Sequence, residues 1–466
     1  MTPVTLKELF SAKDMTLGSP AKRILEFSIP MLLGNLAQQL YNTADSIVVG
    51  RYVGDDALSA VGSAMPILNL LLALFVGIAT GAGIVVSQSF GAKDREGLTK
   101  AIGNCITLSA IASLVIMVLG PLVTMPLLKL LGTDPSIINW CADYLKIFFL
   151  GIAGFFFYNM LSGVLRGLGD SLSALGFLLV AAALNVMLDI YFVASLGLGV
   201  AGVSLATILA QFISAILCYL KLAKMGDIFD LNLKTVKLDP AVAGRILRIG
   251  IPSGVTQAIM ATAGMVVLNL TNAMGKTVVA CNVIIMRVDG FAMMPNMTFG
   301  QAMSVYTGQN VGAGKLDRVT KGVKQGGLIA VCFSAAITLA LLLCAPILFG
   351  FFTKTPYLID LASRMIRIMA VGYLCVAVTQ VLGGVMRGAG DTVSPMWISV
   401  ICNIFIRVPV AYGLAWLTRT PEHPHGQPIA LFGSLVITWV LGMIMSITVF
   451  SIGKWKRKIR ESLDGE

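Results

Sequence analysis

The feature that most restricts the fold of this chain is a series of apolar runs, each of roughly 20 residues or more, that recurs along its whole length. A helix of that length crosses about 30 Å of hydrocarbon. The runs are continuous and lack the alternation of apolar and polar residues that lipid-facing barrel strands show. Only 12% of the residues are charged. The sequence therefore predicts an all-α membrane protein.

Twelve membrane-spanning helices are predicted, and the first 25 residues contain no apolar core of the kind found in a cleaved signal peptide. With both termini in the cytoplasm, Lys and Arg are about three times as frequent inside as outside, as the positive-inside rule requires. We therefore expect a multi-pass protein of the cell inner membrane that does not bind nucleic acid, despite a net charge of +11. The predicted spans are 24–49, 57–88, 98–120, 137–163, 171–194, 199–221, 246–273, 279–310, 322–350, 358–386, 392–417 and 429–452.

An internal repeat divides these spans into two homologous, pseudo-symmetric halves of six helices each. Three motifs recur in one register: RILEFSIP at 23–30 and RILRIGIP at 245–252, QSFGA at 88–92 and QNVGA at 309–313, GVLRGLGD at 163–170 and GVMRGAGD at 384–391. The predicted domains are a cytoplasmic N-terminal segment (1–23), a first lobe (24–222), a cytoplasmic linker (223–243), a second lobe (244–452) and a cytoplasmic tail (453–466).

Six spans is an even number, so both halves enter the membrane from the cytoplasm and the repeat is parallel. Secondary transporters built in this way hold the substrate between the halves and rock them to alternate access. The repeated Arg-Gly-x-Gly-Asp falls in a cytoplasmic loop of each half, where glycine ends a helix and the Arg and the Asp can pair across the turn. Either a cytoplasmic gate or a structural turn would account for it.

Metal-site and enzyme signatures are missing from the sequence. The eight cysteines are scattered and never form CxxC, and the two histidines, His423 and His425, stand in a Pro-rich loop. The one formal GxGxxG, Gly197–Gly202, joins two spans and is read as a chance match. We therefore predict that the chain is not an enzyme and needs no cofactor.

Several motifs together resemble the multidrug and toxic compound extrusion (MATE) family, from about Lys22 to Ile452. They are the Ile-Pro that opens each half, NTADS at 42–46, a long second span that ends in Gln-x-x-Gly-Ala, and Arg-Gly-x-Gly-Asp. The resemblance implies an antiporter that exports amphiphilic, often cationic, compounds in exchange for Na⁺ or H⁺. We expect it to act as a monomer in the lipid bilayer.

One branch of that family has a cation site in its N-terminal half, and the resemblance extends to its residues. Asp45 in span one, Asn185 and Asp189 in span five, and Thr207 in span six match the pattern. Residues four apart share a helix face, and all the side chains offer oxygen, which suits Na⁺. Two carboxylates close together would also bind H⁺ more tightly, so the coupling ion stays open between the two.

The second half differs from the first at the equivalent positions. Span seven has no acidic residue, and Gln257 is its main long polar side chain. Arg287, Asp289 and Arg407 lie within spans, where each charge costs about 2.5 to 3.5 kcal/mol and needs a partner. Since residues two apart point to different faces, we predict that Asp289 forms an ion pair with Arg407 rather than with Arg287.

Pro30 lies in span one, where a missing amide hydrogen permits a bend, and it is predicted to be a conformational hinge below Asp45. Polar residues indicate that this span faces a wet cavity. The predicted substrate cavity includes Gln38, Asn42, Gln257 and Arg287. Two other functions stay open: a flippase for lipid-linked saccharides from the same superfamily, and a membrane-embedded enzyme.

Overall fold

Residues 11–130, 132–232, 234–453 and 455–456 are described by a computed structural model, without the side chains of 41–51, 55–58 and 66. Long apolar runs form helices because hydrocarbon offers no partner for free backbone N–H and C=O groups. The helices of the first half are α1 (Pro20–Tyr52), α2 (Asp55–Ala92), α3 (Arg95–Leu130), α4 (Ile138–Leu150), α5 (Ile152–Gly167), α6 (Ser171–Asp189) and α7 (Gly199–Ala223). Those of the second half are α8 (Pro240–Ala273), α9 (Lys276–Gly312), α10 (Leu316–Gly350), α11 (Pro356–Ala370), α12 (Gly372–Gly388), α13 (Val393–Val400), α14 (Val408–Leu417) and α15 (Ile429–Ile452).

Twelve membrane spans follow from these helices, as the sequence predicted. Within the described residues, nine uninterrupted stretches are long and apolar enough to cross a membrane, and two bent helix pairs bring the number to eleven. The remaining span is α1, whose 33 residues correspond to about 50 Å of helix. The chain is thus an all-α membrane protein with six spans in each half.

The fourth span of each half is broken at a glycine. The pair α4 and α5 bends by 55° at Gly151, and the pair α11 and α12 bends by 43° where Gly372 begins the second helix. At Gly151 an added Cβ would meet the side chain of Ile208, and at Gly372 it would meet the ring of Trp439. The matching breaks show that the sequence repeat is also a repeat of backbone shape.

Packing divides the chain into two compact units, and two of the three boundaries between them along the chain fall inside helices. The first unit contains the described residues up to Asp14 and Ile29–Gly254, and the second contains Met15–Ser28 and the chain from Val255 onward. One boundary crosses α1 two residues before Pro30, and the other crosses α8 two residues after Pro252. The first turns of α1 therefore belong to the second unit, and those of α8 belong to the first.

Small residues bring equivalent helices close together inside each unit. In the first, a Cβ on Gly163 of α5 would lie 2.9 Å from the carbonyl oxygen of Ala79 on α2. In the second, a Cβ on Gly384 of α12 would collide with the carbonyl group of Gly300 on α9. Lipid tails are as apolar as the side chains, so helices in a membrane associate largely through close packing of this kind.

The two Arg-Gly-x-Gly-Asp loops are helix-capping turns. The Asp170 carboxylate accepts hydrogen bonds from the Ser173 N–H at 2.9 Å and from its hydroxyl at 2.6 Å, which caps α6. Asp391 accepts from the Ser394 hydroxyl at 2.6 Å at the start of α13. Arg166 donates to the Ser162 hydroxyl at 2.7 Å and forms no ion pair with Asp170, whose carboxylate lies 3.9 Å from Lys221 Nζ. The pairing across the turn that the motif allows is therefore not formed in the first half. In each loop the carboxylate accepts from one backbone N–H group in the first turn of the helix that follows.

Candidate cation and transport site

Three of the four predicted cation ligands lie together between α6 and α7. Asn185 and Asp189 are one turn apart on α6 and are 1% and 0% exposed, and Thr207 is half-buried on α7. With its amide oriented to match its neighbours, Asn185 donates to Asp189 Oδ2 at 2.7 Å and accepts from the Thr207 N–H at 3.1 Å. The amide therefore links the carboxylate to the neighbouring helix.

A change in helix geometry begins directly after Asp189. Residues Ile190–Ser195 form a π-helical turn that continues α6 toward the loop before α7. The wider π turn shifts the backbone register, and such turns are often found at functional sites. In this chain the π turn forms the last part of the span that carries Asn185 and Asp189.

The fourth predicted ligand, Asp45, lies on α1, but its side chain and that of Asn42 fall outside the described residues. The contacts of Asp45 therefore stay a prediction. The donors that are described are a carboxylate, an amide oxygen and a hydroxyl oxygen. A site of oxygen ligands fits a hard cation such as Na⁺, and a carboxylate can equally hold a proton.

In the second half, Asp289 of α9 is held by a tyrosine. The Tyr373 hydroxyl, on α12, donates to Asp289 Oδ1 at 2.8 Å, and Tyr373 itself is fully buried. The backbone carbonyl of Tyr373 accepts from the buried Asn296 side chain at 3.3 Å. Asp289 thus has a polar partner on a neighbouring helix of the same unit.

Arg407, the predicted partner of Asp289, does not contact it. No ion pair within 4.0 Å joins them, and the buried Arg407 Nε has no hydrogen-bond acceptor among the described residues. The Arg407 charge is near enough to act electrostatically on Asp289. Arg407 ends a second π-helical turn, Ile401–Arg407, which joins α13 to α14. A functional pairing of the two charges stays a prediction.

The second half does not repeat the geometry of the first at the equivalent asparagine. Asn403 donates to the carbonyl and hydroxyl oxygens of Ser399 on its own helix, at 3.0 and 3.2 Å. In the first half, Asn185 instead bridges two helices. An asparagine bonded within its own helix and an arginine in place of Asp189 leave no cation ligands of the first-half type.

The remaining predicted residues are distributed over both units. Gln38 is half-buried on α1, whereas Gln257 on α8 and Arg287 on α9 have exposed side chains. Arg287 and the half-buried Asp289 occupy different faces of α9, as their spacing predicted. The role of these residues in a substrate cavity stays a prediction.

Tyr373 is the residue that the sequence reasoning missed. The only available signal was chemical: an acid inside a span needs a partner, and a phenol is a neutral donor that tolerates apolar surroundings. Nothing in the spacing of Asp289 and Tyr373 along the chain links them. Their contact arises from the packing of α9 against α12.

Comparison with known proteins gives a family match for each half. The family model described as MatE matches the chain over residues 30–191 and again over residues 252–413. The two matches correspond to the two copies of the internal repeat. They leave out the first turns of α1 and α8 and the last helix of each half, α7 and α15.

Curated relatives and solved structures resemble the chain over most of its length. The probable multidrug resistance protein YpnP of Bacillus subtilis is 29% identical over 452 residues, which cover 96% of this chain and 98% of the relative. The probable multidrug resistance protein YoeA of the same species is 27% identical, with 84% and 86% covered. A solved multidrug resistance MATE family transporter in an outward-facing conformation superposes with a TM-score of 0.86 at 23% identity, covering 96% of this chain and 99% of that chain. That likeness shows a shared fold.

Proposed function

The chain belongs to the MatE family of membrane transporters, and from this premise we propose that it exports amphiphilic, often cationic, compounds in exchange for Na⁺ or H⁺. Membership confirms the resemblance read from the sequence motifs. Family members are transporters, so the chain is a transporter and not an enzyme. The names of its relatives in Bacillus subtilis support multidrug compounds as the substrates.

The observation that carries the proposal is the contact of Asn185 with Asp189 and Thr207 inside the first unit. A carboxylate that is 0% exposed in a membrane span is costly unless it is neutralised by a proton, a cation or a basic partner. Asn185 is a neutral partner, and its hydrogen bond does not itself cancel the charge of Asp189. A bound Na⁺ or H⁺ would remove that charge, and Asp45 would supply the second carboxylate.

Ion binding is coupled to substrate export if the transporter favours one conformation with the cation site loaded and another with the site empty. A ligand shifts a conformational equilibrium only by its difference in affinity for the two states. We propose that the cation or proton enters from outside, binds at Asp45, Asn185, Asp189 and Thr207, and favours the state that releases the substrate outward. Return of the emptied transporter then exposes the substrate cavity to the cytoplasm, which completes alternating access.

Membership of the family also supports the proposed membrane location and orientation of the chain. We expect an inner-membrane protein with both termini in the cytoplasm, acting as a monomer, with no cofactor other than the coupling ion. A scan for cysteine accessibility at the two ends, in intact and opened vesicles, would test this orientation.

Efflux from proteoliposomes under separately imposed Na⁺ and H⁺ gradients tests the function. Asp189→Asn and Asp45→Asn should each abolish gradient-driven export of a fluorescent lipophilic cation and leave the protein folded. Asp360→Asn is the matched control, because Asp360 pairs with Arg364 in an exposed i,i+4 bridge on α11. Normal export by either site variant would overturn the cation site. Gradient-independent transfer of a lipid-linked saccharide with no drug export would support the flippase instead.

A further inference from the structure

The first turns of α1 are embedded in the second unit. Ile24 and Phe27 are 0% and 1% exposed, and Ile24 packs beside Gly326 of α10. The Ala21 N–H, in the first turn, donates to the Gln325 side chain of α10 at 3.0 Å. The part of α1 below Pro30 is therefore anchored to α10, whereas the part from Ile29 onward belongs to the first unit.

The segment Met15–Gly18, which ends one residue before the residue that precedes α1 and which we term the leader, continues this anchor. Met15 is 1% exposed, and its N–H donates to the Gln309 side chain at 2.8 Å. The Asn310 side chain donates to the Met15 carbonyl at 3.3 Å. Both partners belong to the repeated Gln-Asn-Val-Gly-Ala that ends α9, so this motif is a docking site for the leader.

Arg318 of α10 contacts the first and the last residue of the leader. Its two terminal nitrogens donate to the carbonyls of Met15 at 3.1 Å and Gly18 at 2.9 Å. Its Nε donates to the Asn310 side chain at 3.0 Å, which fixes the plane of the guanidinium. A guanidinium presents several donors in a rigid fork, so one side chain can hold both ends of a four-residue segment.

In the first unit, an arginine on the equivalent helix, α3, makes similar contacts with a backbone segment. Arg95, the first residue of α3, donates to the carbonyls of Gly226 at 2.7 Å and Asp227 at 2.9 Å. These residues lie in the linker that leads to α8, just as the leader precedes α1. Each half therefore has an arginine at the start of its third span that clamps the segment before a first span, and in each case that first span is the one that crosses a unit boundary.

We propose that Arg318 is a positioning residue of the transport cycle, which holds the leader and the base of α1 fixed so that bending at Pro30 moves the Asp45 end. A hinge transmits motion only when one of its arms is held. Without the contacts of Arg318, bending at Pro30 would move the base of α1 instead of the Asp45 end. The inference rests on the proposed role of α1 in cation coupling, but the anchoring itself is a separate property of the second unit.

Hydrogen–deuterium exchange and transport kinetics on the purified full chain test the proposal together. In Arg318→Ala, exchange at residues 15–22 should rise by about tenfold or more, because the clamped backbone becomes free to open. The maximal export rate should fall by about fivefold or more while the KM for the exported dye changes by less than about twofold. Arg318→Lys, with one compact ammonium group, should give intermediate values for both quantities. Arg95→Ala is the matched control, since it should expose the linker at residues 225–231 and leave residues 15–22 protected.

Unchanged exchange at residues 15–22 in Arg318→Ala would show that Arg318 does not hold the leader in place. Raised exchange with a normal maximal rate would overturn its part in transport. The proposed function fails separately, through normal gradient-driven export by Asp45→Asn or Asp189→Asn, and the exchange result does not depend on that outcome. If Arg318→Ala does not fold, the same two readouts on Arg318→Lys decide the matter.

Discussion

The Tyr373 hydroxyl donates to the Asp289 carboxylate at 2.8 Å, and this bond joins α12 to α9 inside the second unit. Asp289 lies in the interior of α9, whereas Asp189 is the last residue of α6. In the first half a buried carboxylate is held by an amide, and in the second half a half-buried carboxylate is held by a phenol. A neutral donor stabilises a carboxylate and leaves its charge available to another partner.

Tyr373→Phe should destabilise the protein by about 1–3 kcal/mol, because it removes one partner of a buried polar pair and leaves the carboxylate less well satisfied. Thermal unfolding in detergent, followed by the loss of monodisperse protein, would measure the change. Tyr412→Phe is a suitable control, since Tyr412 is exposed and makes only a 3.4 Å bond to the Val266 carbonyl. Equal melting temperatures for Tyr373→Phe and the unmodified protein would show that the bond contributes nothing to stability.

Arg407→Ala should also destabilise the protein, and adding Asp289→Asn should restore part of the loss. Removing one of two interacting buried charges leaves the other uncompensated, which costs more than removing both. Since the two side chains form no contact ion pair, we expect a coupling at the lower end of the usual range for interacting residues, about 0.5 kcal/mol. A double-mutant cycle of unfolding free energies measures it. Strict additivity of the two single changes would mean that the residues are not partners.

The linker clamp predicts a dependence on pH outside the membrane. The Arg95 guanidinium, bonded to Asp230 at 2.9 Å, holds the pKa of that carboxyl below its ordinary value. Because the folded pKa is the lower one, the clamp is fully formed above the unfolded value and weakens as pH falls through the folded value. We expect protection of residues 225–231 to stay constant from pH 8 to about pH 5 and to fall below about pH 4. Hydrogen exchange in detergent, with Asp230→Asn as the control that should lack this transition, would measure it.

The positions of the spans were predictable from the sequence because the length of an apolar run is a direct physical constraint. The predicted fifth span, 171–194, differs by one residue from the observed stretch Ser171–Ser195, and the twelfth, 429–452, matches α15. The helix breaks at Gly151 and Gly372 were missed, since a glycine within an apolar run does not by itself reveal whether a neighbour crowds it. The side chains that crowd these two glycines, Ile208 and Trp439, are distant from them in the sequence.

The candidate site was predictable only in part, for the same reason. The Asn185–Asp189 spacing gives a shared helix face, and the contact of Asn185 with Thr207 follows from two adjacent spans. The Tyr373–Asp289 bond and the capping role of Asp170 depend on competition among partners. Arg166 lies four residues before Asp170. The Asp170 carboxylate nevertheless accepts from the Ser173 N–H, which has no partner within the helix at the start of α6. The sequence shows which groups need partners, whereas packing decides which partners they obtain.

The last prediction concerns Pro30, which lies on the same helix as Asp45 and roughly 22 Å from it along the helix axis. With no N–H, the proline leaves the Glu26 carbonyl without its helical partner, so bent and straight forms of α1 can be similar in energy. Pro30→Ala should restore that bond, favour the straight form, and lower the export rate more than the affinity for the coupling ion. Pro121→Ala is the control, because Pro121 lies inside α3 and far from either unit boundary. Export rate and ion affinity, measured on the same purified protein, decide the outcome. An unchanged rate in Pro30→Ala would mean that the proline only shapes a static helix, and that coupling must run through movement of rigid units.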